Sequence, residues 1–340
     1  MAQMKYYYEL TISSSPHVHS KVTTQTIMRD VLIALLPALI GSVYFFGFRA
    51  LLVTLISVAA CGFFEWAWCK MMKMPCKVYD LSFAVTGVLI AFVCPVTIPY
   101  WCIIIGDFFA IIVVKQLFGG IGKNFVNPAL AGRAFLVGSY AGAMTTWINP
   151  AANKAPLMGS TADIVTAATP MAYLKTGDME ALMAEYQVSD LFIGFCGGSL
   201  GEVSALALLI GGVYLIWRKV INWQTPVAYI ATVAVLTFLF PKAGSGIDFM
   251  LYSVFGGGLF LGAIFMATDY VTSPVTKKGQ LIFGIGCGLF TVLIRYFGSY
   301  NEGVCYSIMV MNLLVPMIDK WTKPTRFGVV KSDKKEVAAK

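Results

Sequence analysis

The sequence has few charged residues. They make up 12% of its 340 positions, whereas about 25% is usual for a soluble domain. Hydrophobic residues make up 58%. This composition excludes intrinsic disorder, a coiled coil and an ordinary soluble enzyme. The sequence therefore predicts a polytopic membrane protein.

Sequence motifs for metal binding are also absent. The eight cysteines form no CxxC pair and show no cysteine–histidine spacing typical of a metal site. We therefore predict no metal site and expect the cysteines to be buried as small apolar side chains. The first 26 residues lack the short apolar core of a signal peptide, so we expect the N-terminal segment to be retained.

Long apolar runs, in contrast, are abundant. Ten of them are long enough to cross the membrane, since about 20 helical residues span roughly 30 Å of hydrocarbon. They lie at residues 31–48, 50–69, 81–97, 101–118, 127–146, 198–217, 225–240, 248–266, 279–297 and 302–319. These runs predict an all-α polytopic fold of about ten transmembrane helices, with both termini on the same side of the membrane.

The basic residues are distributed unequally between the two sides of this predicted fold. Nineteen lie on the side of the termini and five on the opposite side. Because cytoplasmic loops are enriched in lysine and arginine, we predict that both termini lie in the cytoplasm. One loop on the outer side is long, at residues 147–197, and a long loop in a tightly connected protein is where functional residues are expected.

A short repeat links the two halves of the chain. Pro95-Val96-Thr97 returns as Pro274-Val275-Thr276, and Phe118-Gly119 returns as Phe297-Gly298, both at an offset of 179 residues. These identities are few, and coincidence is the alternative, but repeats of five helices each would have to be inverted. We predict a cytoplasmic leader, a first five-helix repeat, an outer loop, a second five-helix repeat and a cytoplasmic basic tail, at residues 1–30, 31–146, 147–197, 198–319 and 320–340 respectively.

The outer loop contains the segment Asp163-Ile164-Val165-Thr166-Ala167-Ala168-Thr169-Pro170. Taken alone, it indicates a short helix with Thr169 as N-cap and Pro170 at the first helical position. It also resembles flavinylation sites, which end in a threonine whose oxygen takes FMN through a phosphodiester bond made by a flavin transferase. The resemblance implies that Thr169 carries covalent FMN and that Asp163 and Thr166 belong to the recognised sequence, although Thr166-Ala167 stands where Ser-Gly is usual.

Three further segments resemble one family of membrane proteins. They are Ser14-Ser15-Pro16-His17 through Pro37, Gly122 through Arg133, and Phe265-Met266-Ala267-Thr268-Asp269 with Pro274-Val275-Thr276. With the outer-loop motif they span most of the chain. They are similar to the family of the D subunit of the Rnf complex and the B subunit of the sodium-pumping NADH:quinone reductase, and the short leader resembles the Rnf member.

This resemblance implies a flavin-bearing membrane subunit of an ion-translocating ferredoxin:NAD oxidoreductase in the bacterial cytoplasmic (inner) membrane. It also implies a second, non-covalent flavin in the helix bundle, which is riboflavin in the quinone-reductase relative. The sequence has no Rossmann glycine fingerprint and no cysteine set for an iron–sulfur cluster, so electrons must come from partner subunits. The implied partners are the other membrane and peripheral Rnf subunits, including a second FMN-bearing subunit and iron–sulfur subunits, with a flavin transferase acting during maturation.

Five residues are candidates for binding the non-covalent flavin. Asn124, Asn127 and Arg133 flank the start of the fifth predicted helix, and amide donors with a cation suit a ring that becomes anionic on reduction. Thr268 and Asp269 end the eighth predicted helix on the same side. The alternative interpretations are that Asn127 only caps its helix and that Asp269 is an ordinary helix-end residue.

Acidic residues in or beside the predicted helices are candidates for ion coupling, because charges in the membrane are costly. The resemblance implies this role for Glu65 and Asp319, since quinone-reductase relatives have acidic residues linked to sodium uptake at these places. The alternative is an anchor that pairs with a neighbouring lysine. For two other acids, Asp107 and Glu202, a structural salt bridge is the alternative to a functional role.

Two other functions also fit the sequence. Ten helices in a five-plus-five inverted repeat suit a secondary transporter or channel. The B subunit of a sodium-pumping NADH:quinone reductase would differ mainly by a longer N-terminal region. The residues do not distinguish sodium from a proton as the coupling ion.

Overall fold

The computed structural model describes residues 22–74, 78–148 and 168–324. Most of the predicted leader and basic tail lie outside the described residues, and so do Asp163 and Thr166 of the predicted flavinylation motif. The described residues fold into helices joined by short connections.

The helices of the described residues fall into three groups along the chain. The first group is α1 (Thr24–Phe46), α2 (Phe48–Met71), α3 (Ser82–Phe92), α4 (Tyr100–Phe108, continued by a π-helical segment, Phe109–Gln116) and α5 (Pro128–Ser139). Short helices follow: α6 (Ala141–Met144), α7 (Pro170–Thr176), α8 (Met179–Glu185) and α9 (Val188–Ile193). The last group is α10 (Ala205–Trp217), α11 (Gln224–Leu239), α12 (Gly246–Phe255), α13 (Leu259–Leu261, continued by a π-helical segment, Gly262–Met266), α14 (Lys277–Phe297) and α15 (Val304–Trp321).

Each of the predicted apolar runs coincides with a helix of this structure. Four helices, α1, α2, α14 and α15, are long and apolar enough to cross a membrane alone, and α12 with α13 and its continuation makes a fifth if this pair, bent by 62°, counts as one span. The helices α3, α10 and α11 are apolar but shorter. The predicted all-α membrane fold is confirmed, whereas the count of ten spans and their orientation stay predictions.

Sequence signals set several of the helix ends. The Thr23 hydroxyl accepts a hydrogen bond from the backbone N–H of Thr26 (3.3 Å) at the start of α1, and Thr276 does the same for Gly279 (3.0 Å) at the start of α14. The break between α12 and α13 falls in a run of glycines, where Gly257 has a positive φ of 71° that other residues adopt only at a cost. The glycine run therefore divides the eighth apolar segment.

Helix neighbours follow the same order in the two halves. The helix α2 packs against α3 and α4, and α11 packs against the π-helical segment after α13 and against α14. Helices that the 179-residue offset makes equivalent also touch across the halves: α1 packs on α10, and α5 packs on α15, where the Cys305 thiol donates a hydrogen bond to the Leu130 carbonyl oxygen (3.3 Å). This packing supports the two-repeat organisation, which itself stays a prediction.

The segment that joins α9 to α10 returns into the helix bundle. The backbone N–H groups of Leu200 and Gly201 donate hydrogen bonds to the carbonyl oxygens of Cys94 (2.9 Å) and Phe92 (2.9 Å), just where α3 ends. These bonds give the last carbonyls of α3 the partners that a helix end lacks. They also carry Glu202, the next residue, to a buried position.

Candidate functional site

Thr169 occupies the N-cap position of α7, and Pro170 occupies the first helical position, as the local sequence predicts. The Thr169 side chain, however, makes no capping hydrogen bond. The residue lies instead on the wall of a cavity of about 280 Å³, called the Thr169 cavity below. The helix therefore does not depend on this hydroxyl, which can take a covalent substituent.

Two tyrosines hold the chain next to Thr169. The Tyr186 hydroxyl donates a hydrogen bond to the carbonyl oxygen of Ala168 (3.3 Å), and the Tyr252 hydroxyl donates one to the carbonyl oxygen of Tyr186 (2.8 Å). Burial raises the pKa of Tyr186, so this phenol is protonated and remains a donor at neutral pH. Together these bonds fix the backbone that leads into Thr169.

The Thr169 cavity is lined by aromatic and charged side chains. Tyr300 and Tyr306 stack on each other with ring centroids 4.8 Å apart, and both belong to the wall, as do Trp147, Arg133 and Glu302. Aromatic faces and a guanidinium are groups that stack on planar ligands and pair with anions. The wall therefore suits a planar molecule that carries negative charge.

Arg133 is the centre of a buried ion-pair cluster beside this cavity. Its guanidinium donates to Glu202 (Nη1 to Oε1, 3.0 Å) and, from the other terminal nitrogen, to Glu302. The second carboxylate oxygen of Glu202 and the Ser199 hydroxyl are buried without a hydrogen-bond partner among the described residues. Glu202 thus takes part in the salt bridge considered as an alternative, and the cluster holds two carboxylates for one cation.

Arg133 does not lie with Asn124 and Asn127, as the sequence analysis expected. It stands six positions into α5 from Asn127, which is about 9 Å along a helix axis, and it lines the Thr169 cavity. The two asparagines line a different cavity. The expected grouping of Arg133 with these asparagines is therefore wrong, because the length and turn of α5 separate them.

A larger cavity, of about 410 Å³, brings together the other four candidates, and it is called the Asn127 cavity below. Asn124, Asn127, Thr268 and Asp269 all line it, although the two pairs lie far apart in sequence. Lys115 and Tyr270 are further polar residues of its wall, and apolar side chains of α1 and α3 complete it. Its volume lies within the range of roughly 300–1,000 Å³ typical of small-molecule sites.

The four side chains also build the wall of the Asn127 cavity. The Asn127 amide oxygen accepts from the N–H of Ala129 (3.0 Å) and caps α5, while its nitrogen donates to the Met266 carbonyl oxygen (3.3 Å). The Asn124 nitrogen donates to the Val126 carbonyl oxygen (3.1 Å). Asn127 is therefore a helix cap, as the alternative proposed, and it ties α5 to the segment that follows α13.

Thr268 and Asp269 have local partners too. The Thr268 hydroxyl donates to the Ile264 carbonyl oxygen (2.6 Å), and an Asp269 carboxylate oxygen accepts from the Thr272 hydroxyl (3.0 Å). These bonds hold the turn after the π-helical segment. The pair shapes one wall of the Asn127 cavity rather than ending a helix freely.

Glu65 is buried in an ion pair with Lys115. The Lys115 ammonium lies 2.8 Å and 3.1 Å from the two carboxylate oxygens and 2.8 Å from the Ser82 hydroxyl. An ammonium has three N–H donors, so each proton has an acceptor. The anchor considered as an alternative thus describes the geometry of Glu65, and its predicted role in ion coupling stays a prediction.

Asp319 lies near the end of α15 and is half-buried. One of its carboxylate oxygens accepts a hydrogen bond from the backbone N–H of Val275 (3.2 Å). The residue therefore fastens α15 to the turn that precedes α14. Its predicted role in ion coupling is compatible with this contact and stays a prediction.

Several residues of these sites were not expected from the sequence. Glu302, Tyr300 and Tyr306 meet the Thr169 cavity only because the connection before α15 folds against α5, and no local pattern indicates that contact. Lys115 carried a usable signal. It is a basic residue at the end of an apolar run, which calls for a buried acidic partner.

Comparison with known proteins gives a consistent result. The family model described as the NQR2, RnfD, RnfE family matches residues 11–328. The D subunit of the Na(+)-translocating ferredoxin:NAD(+) oxidoreductase complex of Acetobacterium woodii is 48% identical over 97% of this chain and 98% of its own length. The proton-translocating counterpart from Clostridium ljungdahlii is 43% identical over 94% of this chain and 96% of its own length.

A more distant relative shows the same coverage. The D subunit of the ion-translocating oxidoreductase complex of Actinobacillus succinogenes is 36% identical over 93% of this chain and 97% of its own length. The match is thus continuous over both halves, the outer loop and the residues of both cavities. The chain belongs to the NQR2, RnfD, RnfE family.

Proposed function

We propose that the chain is the flavin-carrying D subunit of an ion-translocating ferredoxin:NAD oxidoreductase complex in the bacterial cytoplasmic membrane. Relatives with this description cover almost the whole chain. The observation that carries the flavin assignment is the Thr169 hydroxyl, which makes no capping bond and lies on a cavity with Arg133. Its partners would be the other Rnf subunits, including a second FMN-bearing subunit and iron–sulfur subunits.

FMN joined to Thr169 through its phosphate fits the residues of the Thr169 cavity. Bound there, the flavin would supply one- and two-electron redox chemistry, which protein side chains lack. Tyr300, Tyr306 and Trp147 offer ring faces for stacking, and Arg133 offers a cation. Because Glu202 and Glu302 already pair with Arg133, added negative charge in the cavity would be opposed unless one of these carboxyls takes up a proton.

A second, non-covalent flavin fits the Asn127 cavity. Asn124, Asn127, Thr268 and Asp269 line it together, and their backbone bonds hold the two loops that would enclose a ring. The Lys115 ammonium is the cation of this wall, and its charge is balanced by Glu65. We propose riboflavin or another flavin as the occupant, because an apolar pocket with a few fixed polar groups suits this ring.

The proposed coupling ion is sodium or a proton. The Acetobacterium relative is named for the first and the Clostridium relative for the second. We propose that Glu65 and Asp319 act in coupling, since they are acidic residues held near the ends of α2 and α15. Both ions are compared in the experiments given in the Discussion.

The covalent flavin is tested by fluorescence of the denatured protein in a gel. Wild-type protein should fluoresce, and Thr169→Ala should not, because the substitution deletes only the acceptor oxygen and no capping bond. Thr166→Ala, a matched threonine change in the same motif, should keep the fluorescence. A fluorescent Thr169→Ala protein, or loss in Thr166→Ala alone, would move the attachment site, and a dark wild-type protein would favour the transporter alternative.

A further inference from the structure

Asp107 is a fully buried acid with no cationic partner. It lies near the end of α4 and has 0% of its surface exposed. Among the described residues, no lysine or arginine nitrogen lies within 4.0 Å of it, whereas the buried acids Asp30, Glu65 and Glu202 each have one. The salt bridge considered as an alternative for Asp107 is therefore absent, and its charge needs another explanation.

The hydrogen bonds around Asp107 give that explanation. The Ser57 hydroxyl oxygen lies 2.8 Å from Asp107 Oδ1 and 2.8 Å from the Gly87 carbonyl oxygen. Both distances are typical of O–H···O hydrogen bonds. A serine hydroxyl has a single proton to donate, so it cannot serve two acceptors at once.

The position of Ser57 is fixed by close helix packing. A Cβ atom added to Gly87 would lie 2.8 Å from the Val58 Cα atom, so α2 and α3 touch through their backbones here. Ser57 precedes Val58 and is fully buried. The hydroxyl therefore cannot move away from the Gly87 carbonyl oxygen to resolve the conflict.

A proton on Asp107 satisfies all three groups. The carboxylic acid then donates to the Ser57 hydroxyl, and the hydroxyl donates to the Gly87 carbonyl oxygen. An ionised Asp107 would instead keep its charge in an apolar interior, where the second carboxylate oxygen has no partner among the described residues. Buried charges without a partner are avoided by neutralisation.

The charged and titratable groups around Asp107 do not offset such a charge. Lys115 is already bound by Glu65, and Arg133 on α5 is bound by two carboxylates. The remaining groups are thiols. They are Cys61 on α2, Cys94 after α3 and Cys102 on α4.

We propose that Asp107, Ser57 and the Gly87 carbonyl form a proton-binding site inside the helix bundle, in which Asp107 holds an exchangeable proton. The oxygens stand at hydrogen-bonding distance from one another, so the site is closed around a proton rather than opened around a larger cation. No part of this assignment requires a flavin, so it can be tested apart from the proposed function.

A polar path connects this site with the Asn127 cavity. Ser57, Cys61 and Glu65 follow one another at four-residue spacing and share one face of α2. The Glu65 end of this face meets Lys115, which lines the Asn127 cavity and binds Ser82. A proton from Asp107 would thus have polar groups along its way to a region that the fold keeps apart from the Thr169 cavity.

The protonation state is measured by infrared spectroscopy of the purified complex. The spectrum of the wild type minus that of Asp107→Asn should contain a carboxylic-acid C=O band at neutral pH, and this band should shift in D₂O. The asparagine can still donate to Ser57, so the variant should keep the fold and normal flavin fluorescence. A difference spectrum that contains only carboxylate bands would overturn the proposal.

Chemical labelling checks the same site in the membrane. Dicyclohexylcarbodiimide, which adds to protonated carboxyl groups in apolar surroundings, should modify Asp107 in the native complex, with the adduct lost in Asp107→Asn and declining as pH rises. Glu65, held by Lys115, is the internal control and should stay unmodified. Suppression of the Asp107 adduct or infrared band by sodium chloride, but not by choline chloride, at constant pH would overturn the proton assignment in favour of sodium.

Discussion

Thr169 and Arg133 line the same cavity, although one stands at the start of a short loop helix and the other in the middle of α5. The relationship joins the proposed attachment point of FMN to the most strongly paired cation of the bundle. It places two carboxylates, Glu202 and Glu302, next to that point through Arg133. The charge at the proposed flavin is therefore set by three side chains.

Removing one of these carboxylates should make the covalent flavin easier to reduce. Glu302→Gln deletes a negative charge beside the Thr169 cavity and leaves Arg133 paired with Glu202. We expect the midpoint potential to rise, on the order of tens of millivolts for a charge several ångströms away in a partly buried site. A redox titration of the purified protein measures the shift. Glu180→Gln, which changes an exposed acid of α8, is the control, and equal potentials in both variants would refute the charge effect.

Glu65 should affect ion coupling rather than flavin content. Glu65→Gln leaves the buried Lys115 ammonium without its carboxylate, so a purely structural defect must be separated from a coupling defect. The double variant Glu65→Gln with Lys115→Gln removes both charges. We expect weakened cation dependence of ferredoxin:NAD turnover in both the single and the double variant, measured against sodium concentration and by proton uptake into vesicles.

If Glu65 were only an anchor, the double variant would regain normal coupling, because no unpaired charge remains. Asp319→Asn gives a parallel test. Its amide oxygen can still accept from the Val275 N–H, so the contact with the turn survives while the charge is lost. Normal coupling in Asp319→Asn would remove that residue from the ion path.

The Asn127 cavity should lose its flavin when Asn124 is changed. Asn124→Ala deletes an amide that lines this cavity without removing the helix cap, which belongs to Asn127. We expect less flavin released on denaturation, while the in-gel fluorescence at Thr169 is unchanged. Asn222→Ala, an exposed asparagine between α10 and α11, is the matched control. Equal flavin release from both variants would argue against this site.

Membrane topology can be tested with introduced cysteines. In intact cells Glu180→Cys should react with an impermeant maleimide, whereas Lys73→Cys and Lys219→Cys should be protected, because basic residues mark the cytoplasmic side. The native cysteines of the described residues are buried, which limits background labelling. Reaction of Lys219→Cys from outside would reject the predicted orientation.

Local sequence patterns predict the helices and the Thr169 cap because these depend on neighbours in the chain. The Arg133 site could not be predicted in this way. Six residues of α-helix turn the chain by about 240° beyond one full turn and advance it roughly 9 Å, so Asn127 and Arg133 point to different places. Glu302 meets Arg133 across two helices, and a single sequence gives no signal for such a contact.

The glycine run at the break between α12 and α13 has a mechanical consequence. The place that a Cβ atom of Gly258 would take is occupied by the carboxylate of Glu202. The absence of a side chain at Gly258 therefore sets how far Glu202 reaches towards Arg133. A single methyl group there would act as a wedge, moving a charge next to the Thr169 cavity from a position that does not itself line it.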